Sequence, residues 1–223
     1  MKDLDVGRFT YRNLPNIVSI LGILPLAILF MEGGYQYLIP LIIYNNIMDD
    51  LDGILANKLD LKSDFGANLD NVCDAVAHIL LVMAVGMHYG GYCALVSFVA
   101  VIAILLRVVS RVSSPQKPAT GSPTNELMRH MLFVLLIANY FNISPEPFLI
   151  SAFLLNAASM LLPFPMRYMI RSLTRSATAI VFVNISLVVA WLVPIALPAI
   201  AFCFLSAYLY SFVAGGVQWF KKA

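Results

Sequence analysis

The chain has 223 residues, of which 61% are hydrophobic and only 12% charged, with a mean hydropathy of +0.85. Soluble domains carry roughly 25% charged residues, so there is too little charge here to cover a water-facing surface, and the composition points to an integral membrane protein. The net charge of +2 gives no argument for nucleic acid, and 3 scattered cysteines (Cys73, Cys93, Cys203) without a CxxC read as small apolar residues of packed helices.

In chain order, residues 1–13 mix Asp3, Asp5, Arg8 and Arg12 with Leu4, Val6, Phe9 and Tyr11, the pattern of a short helix lying in the membrane interface. No cleavable signal peptide is expected, because a charged segment precedes the first apolar run and no small-residue cleavage site follows it. Apolar runs then predict membrane helices over 14–31, 36–57, 66–88, 91–111, 125–141, 146–165, 177–193 and 196–216. The breaks between them include Glu32-Gly33-Gly34, His88 to Gly91, Asn142 to Pro147 and Pro194 to Pro198, and Pro115–Pro123 ("PQKPATGSP") is the most loop-like stretch. The predicted fold is an all-α polytopic bundle of about 8 spans in a single membrane domain, a six-helix core over 14–165 and an additional helical pair over 177–216.

Charge supports this count. With a cytoplasmic N-terminus, one side holds Lys2, Arg8, Arg12, Lys58, Lys62, Arg107, Arg111, Lys117, Arg129, Arg167, Arg171, Arg175, Lys221 and Lys222, which are all 14 Lys and Arg residues of the chain. The opposite side holds none, as the positive-inside bias requires of an even number of spans with both ends cytoplasmic.

Residues 49–74, "DDLDGILANKLDLKSDFGANLDNVCD", set Asp49 and Asp52 at the end of the second run and Asp70 and Asp74 at the start of the third. At 100° per residue, Asp49, Asp52 and Ala56 fall within about 60° of one another, and Asp70 and Asp74 share a face as an i, i+4 pair with Gly66 one turn before them. A short loop makes the two helices neighbours, so their acidic faces can meet. Each Asp inside a span costs about 2.5–3.5 kcal/mol at the helix centre and less near the interface, and four facing carboxylates repel. Solvated loop charge suits Asp60 and Asp64 but not acids spaced three and four apart among Ile, Leu, Ala and Val. Hard oxygen ligands in such a cluster are satisfied by Mg²⁺ or Mn²⁺. Two such ions could share the four carboxylates and clamp a phosphate, with Gly53, Ala56 and Gly66 leaving room for a ligand or a close helix.

The spacing Asp49-x2-Asp52-Gly53-x2-Ala56 followed by Gly66-x3-Asp70-x3-Asp74 resembles the signature of the CDP-alcohol phosphatidyltransferases. "NLPNIVS", Asn13 to Ser19, is similar to that family's entry to its first helix. The resemblance implies transfer of a phosphatidyl group from CDP-diacylglycerol to a small alcohol with release of CMP, at an active site facing the cytoplasm in the inner membrane of a homodimer. It implies that Asp49, Asp52, Asp70 and Asp74 bind two divalent ions and that Asp74 also takes the proton of the incoming hydroxyl. One departure stands out: the residue after the alanine is normally Arg, and here it is Asn57, with Lys58 turned about 100° further round a regular helix. Gly53, Ala56, Asn57, Lys58 and Gly66 are therefore the candidate substrate-binding residues of this segment.

For the acceptor, Ala75 follows Asp74 where relatives using phosphorylated alcohols tend to be basic, and "LDNVCDAVAH" is similar to the bacterial phosphatidylserine synthase branch. "TGSPTNE" (Thr120 to Glu126) and "LLPFPMRYMIRS" (Leu161 to Ser172) resemble further segments of that branch, so serine is expected, with choline, glycerol phosphate and inositol phosphate as alternatives. Arg107, Arg111 and Arg129 either anchor the cytoplasmic face or pair with a lipid diphosphate or substrate carboxylate, since guanidinium suits both. His78, one turn past Asp74, is either a partner of that acid or a polar contact in helix packing. Intramembrane carboxylates also mark transporters, but those would show interrupted helices in two matching halves, whereas here the acids occupy one adjacent helix pair.

Overall fold

The computed structural model describes residues 6–113, 120–170 and 176–221. Lys2, Lys117, Arg171, Arg175, Lys222 and most of the Pro115–Pro123 loop lie outside the described residues. The described residues are helical and contain no strand, only an isolated bridge between Gly121 and Pro165. The chain forms two compact units, residues 1–77 and 78–223.

The first unit holds α1 (Val6–Arg12), α2 (Leu14–Ile23), a 3-10 turn continuing it over Leu24–Phe30, a second over Gly34–Tyr37, α3 (Leu38–Lys58) and the start of α4 (Asp64–Tyr89). The sequence predicts one helix over 14–31; the structure tightens it at Leu24. Pro25 is the cause, since it has no N–H to give the carbonyl of Leu21. The hydroxyl of Tyr44 on α3 donates to that carbonyl instead, at 3.0 Å. Helices α2 and α3 pack antiparallel and close: a side chain on Gly22 would sit 3.2 Å from Met48 Cβ, and Ser19 on α2 meets Asp52 on α3.

The second unit holds the rest of α4, then α5 (Gly91–Ser113), α6 (Thr124–Phe141), α7 (Glu146–Met160), α8 (Ala177–Leu192) and α9 (Leu197–Phe220). Gly90 and Gly91, at φ +68° and +48°, make the α4–α5 corner, and Asn142, at φ 52°, ends α6 in the left-handed conformation that asparagine tolerates. Helix α7 stops at Met160 instead of the expected 165, because Pro163 and Pro165 cannot continue it. Gly121, at φ +66°, lies against the carbonyls of Ser159 and Met160, where a β-carbon would come within 2.4 Å, and its N–H bonds Phe164 O at 2.8 Å. The Thr120–Glu126 and Leu161–Ser172 segments therefore meet there.

Among the described residues, three helices are long and apolar enough to cross a membrane, α4, α5 and α9, and shorter apolar helices cover 14–30, 146–160 and 177–192. At 1.5 Å per residue, the 23 residues of α5 reach about 35 Å, beyond the hydrocarbon thickness of roughly 30 Å. Leu95, Phe98, Ile102, Leu106 and Val109 on α5 are exposed, an apolar surface that water does not favour and lipid does.

Gly34 is the most tightly enclosed glycine of the first unit, since a β-carbon there would lie 1.9 Å from Ile28 O. Gly34→Ala should destabilise by about 1–3 kcal/mol, the usual cost of overpacking, read as an earlier midpoint in denaturant titration of the detergent-solubilised protein. An unchanged midpoint would mean that the 3-10 turn can open to admit the methyl group.

Candidate metal centre

The link between α3 and α4 is built by capping chemistry. Asp60 takes the left-handed conformation at φ 54°, and Leu61 N–H reaches back to Ala56 O at 3.0 Å, closing the end of α3. Ser63 then opens α4: its Oγ accepts the N–H of Gly66 at 3.0 Å and its carbonyl accepts that of Ala67 at 3.0 Å. Two helices joined by so short a link present Asp49 and Asp52 on one side and Asp70 and Asp74 on the other.

Carboxylate oxygens of Asp49, Asp70 and Asp74 lie within 4.8 Å of one another, Asp49 buried and the other two half-buried. Asp52 stands outside that trio; it is buried and accepts a short hydrogen bond from the Ser19 hydroxyl, whose oxygen is also 3.2 Å from Pro15 O. Asp52 and Asp70 line a cavity of about 430 Å³, together with Gly53, Ala56 and Gly66 from the predicted set and with Pro15, Asn16, Ser19 and Lys62. Asn57 and Lys58 are exposed and do not line it.

The trio fits a divalent cation. Ligand oxygens about 2.1 Å from a Mg²⁺ ion are about 3.0 Å apart when adjacent and about 4.2 Å when opposite, so a spacing within 4.8 Å needs at most a small contraction. Monodentate carboxylates on rigid helices, with a cavity beside them, leave positions for phosphate oxygens. Asp50, next to Asp49 in the chain, is not among the acids the sequence singles out; it is buried and accepts from Asn46 Nδ2 at 3.3 Å. Ser19 and Asn16 were likewise not assigned a role, although the "NLPNIVS" stretch contains both.

Arg107, Arg111 and Arg129 belong to the second unit. Arg107 Nη1 donates to Thr120 O at 2.7 Å, with Met160 O at 3.4 Å, tying down the loop before α6. Arg129, 1% exposed, pairs with Glu126 at 2.7 Å and stacks over Phe204. Arg111 is half-buried near the end of α5, and His78 is buried on α4.

The family model for the CDP-alcohol phosphatidyltransferases matches residues 12–221, nearly the whole chain. The chain belongs to the CDP-alcohol phosphatidyltransferase family. That family is one of phosphotransferases for substituted phosphate groups whose members use divalent metals, and the acidic trio is compatible with it. A relative from Aquifex aeolicus (strain VF5), an uncharacterized protein, is 32% identical over 101 residues, 42% of this chain and 51% of that protein. The chain thus spans about half the length of the curated relative it matches.

Gly53 faces open space, with nothing within 4 Å of a β-carbon built on it. Gly53→Ala should leave the fold as stable as before, or up to about 1 kcal/mol more stable because alanine is the better helix former. Any loss should appear in affinity for a ligand of the cavity. Measuring unfolding midpoint and nucleotide-lipid binding on one preparation separates the two, and a destabilised but normally binding variant would remove Gly53 from the site.

Proposed function

We propose that this chain transfers a phosphatidyl group from CDP-diacylglycerol to a small alcohol, L-serine being the acceptor favoured, and releases CMP. The observation that carries the reading is the meeting of Asp49, Asp70 and Asp74 beside the cavity lined by Asp52 and Asp70, in a chain of this family. Serine is supported by "LDNVCDAVAH" and by the contact of Gly121 with Phe164, which joins two segments resembling the phosphatidylserine synthase branch.

In this reading Asp49, Asp52, Asp70 and Asp74 hold two ions, Mg²⁺ or Mn²⁺. Bound there, the cations neutralise charge on the phosphate oxygens. The protein's own contribution is placement. Ser19 holds the Asp52 carboxylate in one rotamer, Gly53, Ala56 and Gly66 keep the cavity open, and the helix pair fixes the acids. Asp74 accepts the proton of the acceptor hydroxyl as its oxygen bonds to the lipid-side phosphorus and the bond to CMP breaks. An aspartate is a weak base alone and serves here only because proton transfer accompanies O–P bond formation between aligned groups. The site opens to the cytoplasm, both termini lie on that side of the inner membrane, the spans number about 8, and the protein acts as a homodimer.

Purified protein given CDP-diacylglycerol, Mg²⁺ or Mn²⁺ and a panel of alcohols should release CMP, fastest with serine. Asp49→Asn, Asp52→Asn and Asp70→Asn should each abolish turnover, and EDTA should do the same until metal is restored; full turnover in chelator would remove the metal from the reading. Asp74→Asn should keep nucleotide-lipid binding yet lose about 10²–10⁴ in rate, the usual contribution of a positioned base. Collapsed affinity with a surviving rate at saturation would make Asp74 a ligand only.

Topology has its own test. With the three cysteines replaced, Lys62→Cys should react with an impermeant reagent only from the cytoplasmic face and Asn142→Cys only from the opposite face. The reverse pattern, or both from one side, would overturn the span assignment.

A further inference from the structure

This inference rests on the nucleotide-lipid reading above and concerns how the cavity tolerates a diphosphate. Among the described residues lining it, the charged side chains are Asp52, Asp64 and Asp70 against a single cation, Lys62. A diphosphate entering such a cavity meets carboxylates on its walls, and even with cations bound among the acids it gains from a direct ammonium contact. Helix α3 does not offer one, because Asn57 is neutral and both it and Lys58 lie outside the lining.

Lys62 reaches the cavity because of the link's shape. The left-handed Asp60 and the Leu61 N–H to Ala56 O bond reverse the chain, so that Leu61, Lys62 and Ser63 come to line the cavity mouth between Ala56 and Gly66. Lys62 is exposed, and no ion pair or hydrogen bond engages it among the described residues, although Asp64 and Asp70 share its cavity. An ammonium without a fixed partner, on a flexible stem at the rim, is free to follow a phosphate. Ser63 sits beside it. Its oxygen accepts from Gly66 N–H, which leaves the hydroxyl proton available to an anion.

We propose that Lys62, assisted by the Ser63 hydroxyl, binds the diphosphate of the nucleotide-lipid, so that the α3–α4 link supplies the cationic contact missing from the end of α3. Lys62 is thus a substrate-binding residue with no part in proton transfer.

The experiment uses the full chain in detergent with Mg²⁺, measuring affinity for CDP-diacylglycerol, CMP release and the unfolding midpoint for each variant. Lys62→Ala should bind the nucleotide-lipid about 10- to 100-fold more weakly, the range for a charge-assisted hydrogen bond, raising KM while the rate at saturation changes by no more than a few fold. Lys62→Arg should restore most of the affinity, and Lys221→Ala, which removes the same charge elsewhere, should not lower it. The gap between wild type and Lys62→Ala should narrow in about 1 M salt, where the screening length is about 3 Å. Wild-type affinity in Lys62→Ala, or the loss appearing in Lys58→Ala instead, overturns the assignment alone. A wild-type protein that neither binds CDP-diacylglycerol nor releases CMP from it overturns the assignment together with the functional reading.

Discussion

Mutual repulsion of carboxylates is the constraint on which the first unit is organised. Oxygens of Asp49, Asp70 and Asp74 within 4.8 Å of one another repel by about 3–4 kcal/mol per ionised pair at an effective dielectric of 20. No protein gathers such charges without holding them by other means, and here the means are visible. The α3–α4 link is closed at both ends by backbone and serine caps, α2 lies close enough to α3 for Ser19 to bond Asp52, and Asn46 bonds Asp50. Each of these fixes the backbone or an acid in a position that charge alone would abandon. A divalent cation among them would turn the same arrangement from a cost into a binding site, and the acidic trio is compatible with a family whose members use such metals.

Local rules made much of this legible in the sequence. Proline and glycine punctuation set the helix limits within a few residues, and the spacing of the acids put them on facing stripes before any contact was known. What escaped was contact across distance or turn geometry. Ser19 and Asp52 are 33 positions apart, and nothing in either neighbourhood announces their bond. Lys62 appears in the sequence only as a charge on the cytoplasmic side, and nothing there shows that the link after the left-handed Asp60 brings it and Ser63 to line the cavity. The Tyr44 hydroxyl on the Leu21 carbonyl belongs to the same class: Pro25 makes a vacant acceptor predictable, but not which donor fills it.

Arg129 shows a different kind of miss. Its spacing to Glu126, three residues earlier on the same helix, is visible in the sequence and points to an ion pair, not to the anchoring or substrate contact that its place at the cytoplasmic side suggests. The pair is buried at 1% and 2% exposure, where an unpaired guanidinium would be strongly unfavourable, and the Phe204 ring packs over it. An i, i+3 acid–base pair at the buried start of a helix is itself a sign that the charges answer each other.

The second unit extends that logic to neutral groups. Asn156 Nδ2 bonds Ala152 O at 2.8 Å and His130 Nδ1 at 2.9 Å, linking α7 to α6, while the Tyr208 hydroxyl on α9 donates to Ser159 Oγ at 2.6 Å, itself 2.9 Å from Ser122 Oγ. These groups are buried among apolar helices, so each bond restricts which helix faces can meet. Through Tyr208 and the Phe133–Phe204 contact, α9 is joined to α6 and α7 and does not merely follow them in sequence. Helix α9 therefore completes the packing of the second unit, and truncation before it would take away the Tyr208 hydroxyl from Ser159 and the Phe204 ring from Arg129, leaving Arg129 its ion pair with Glu126.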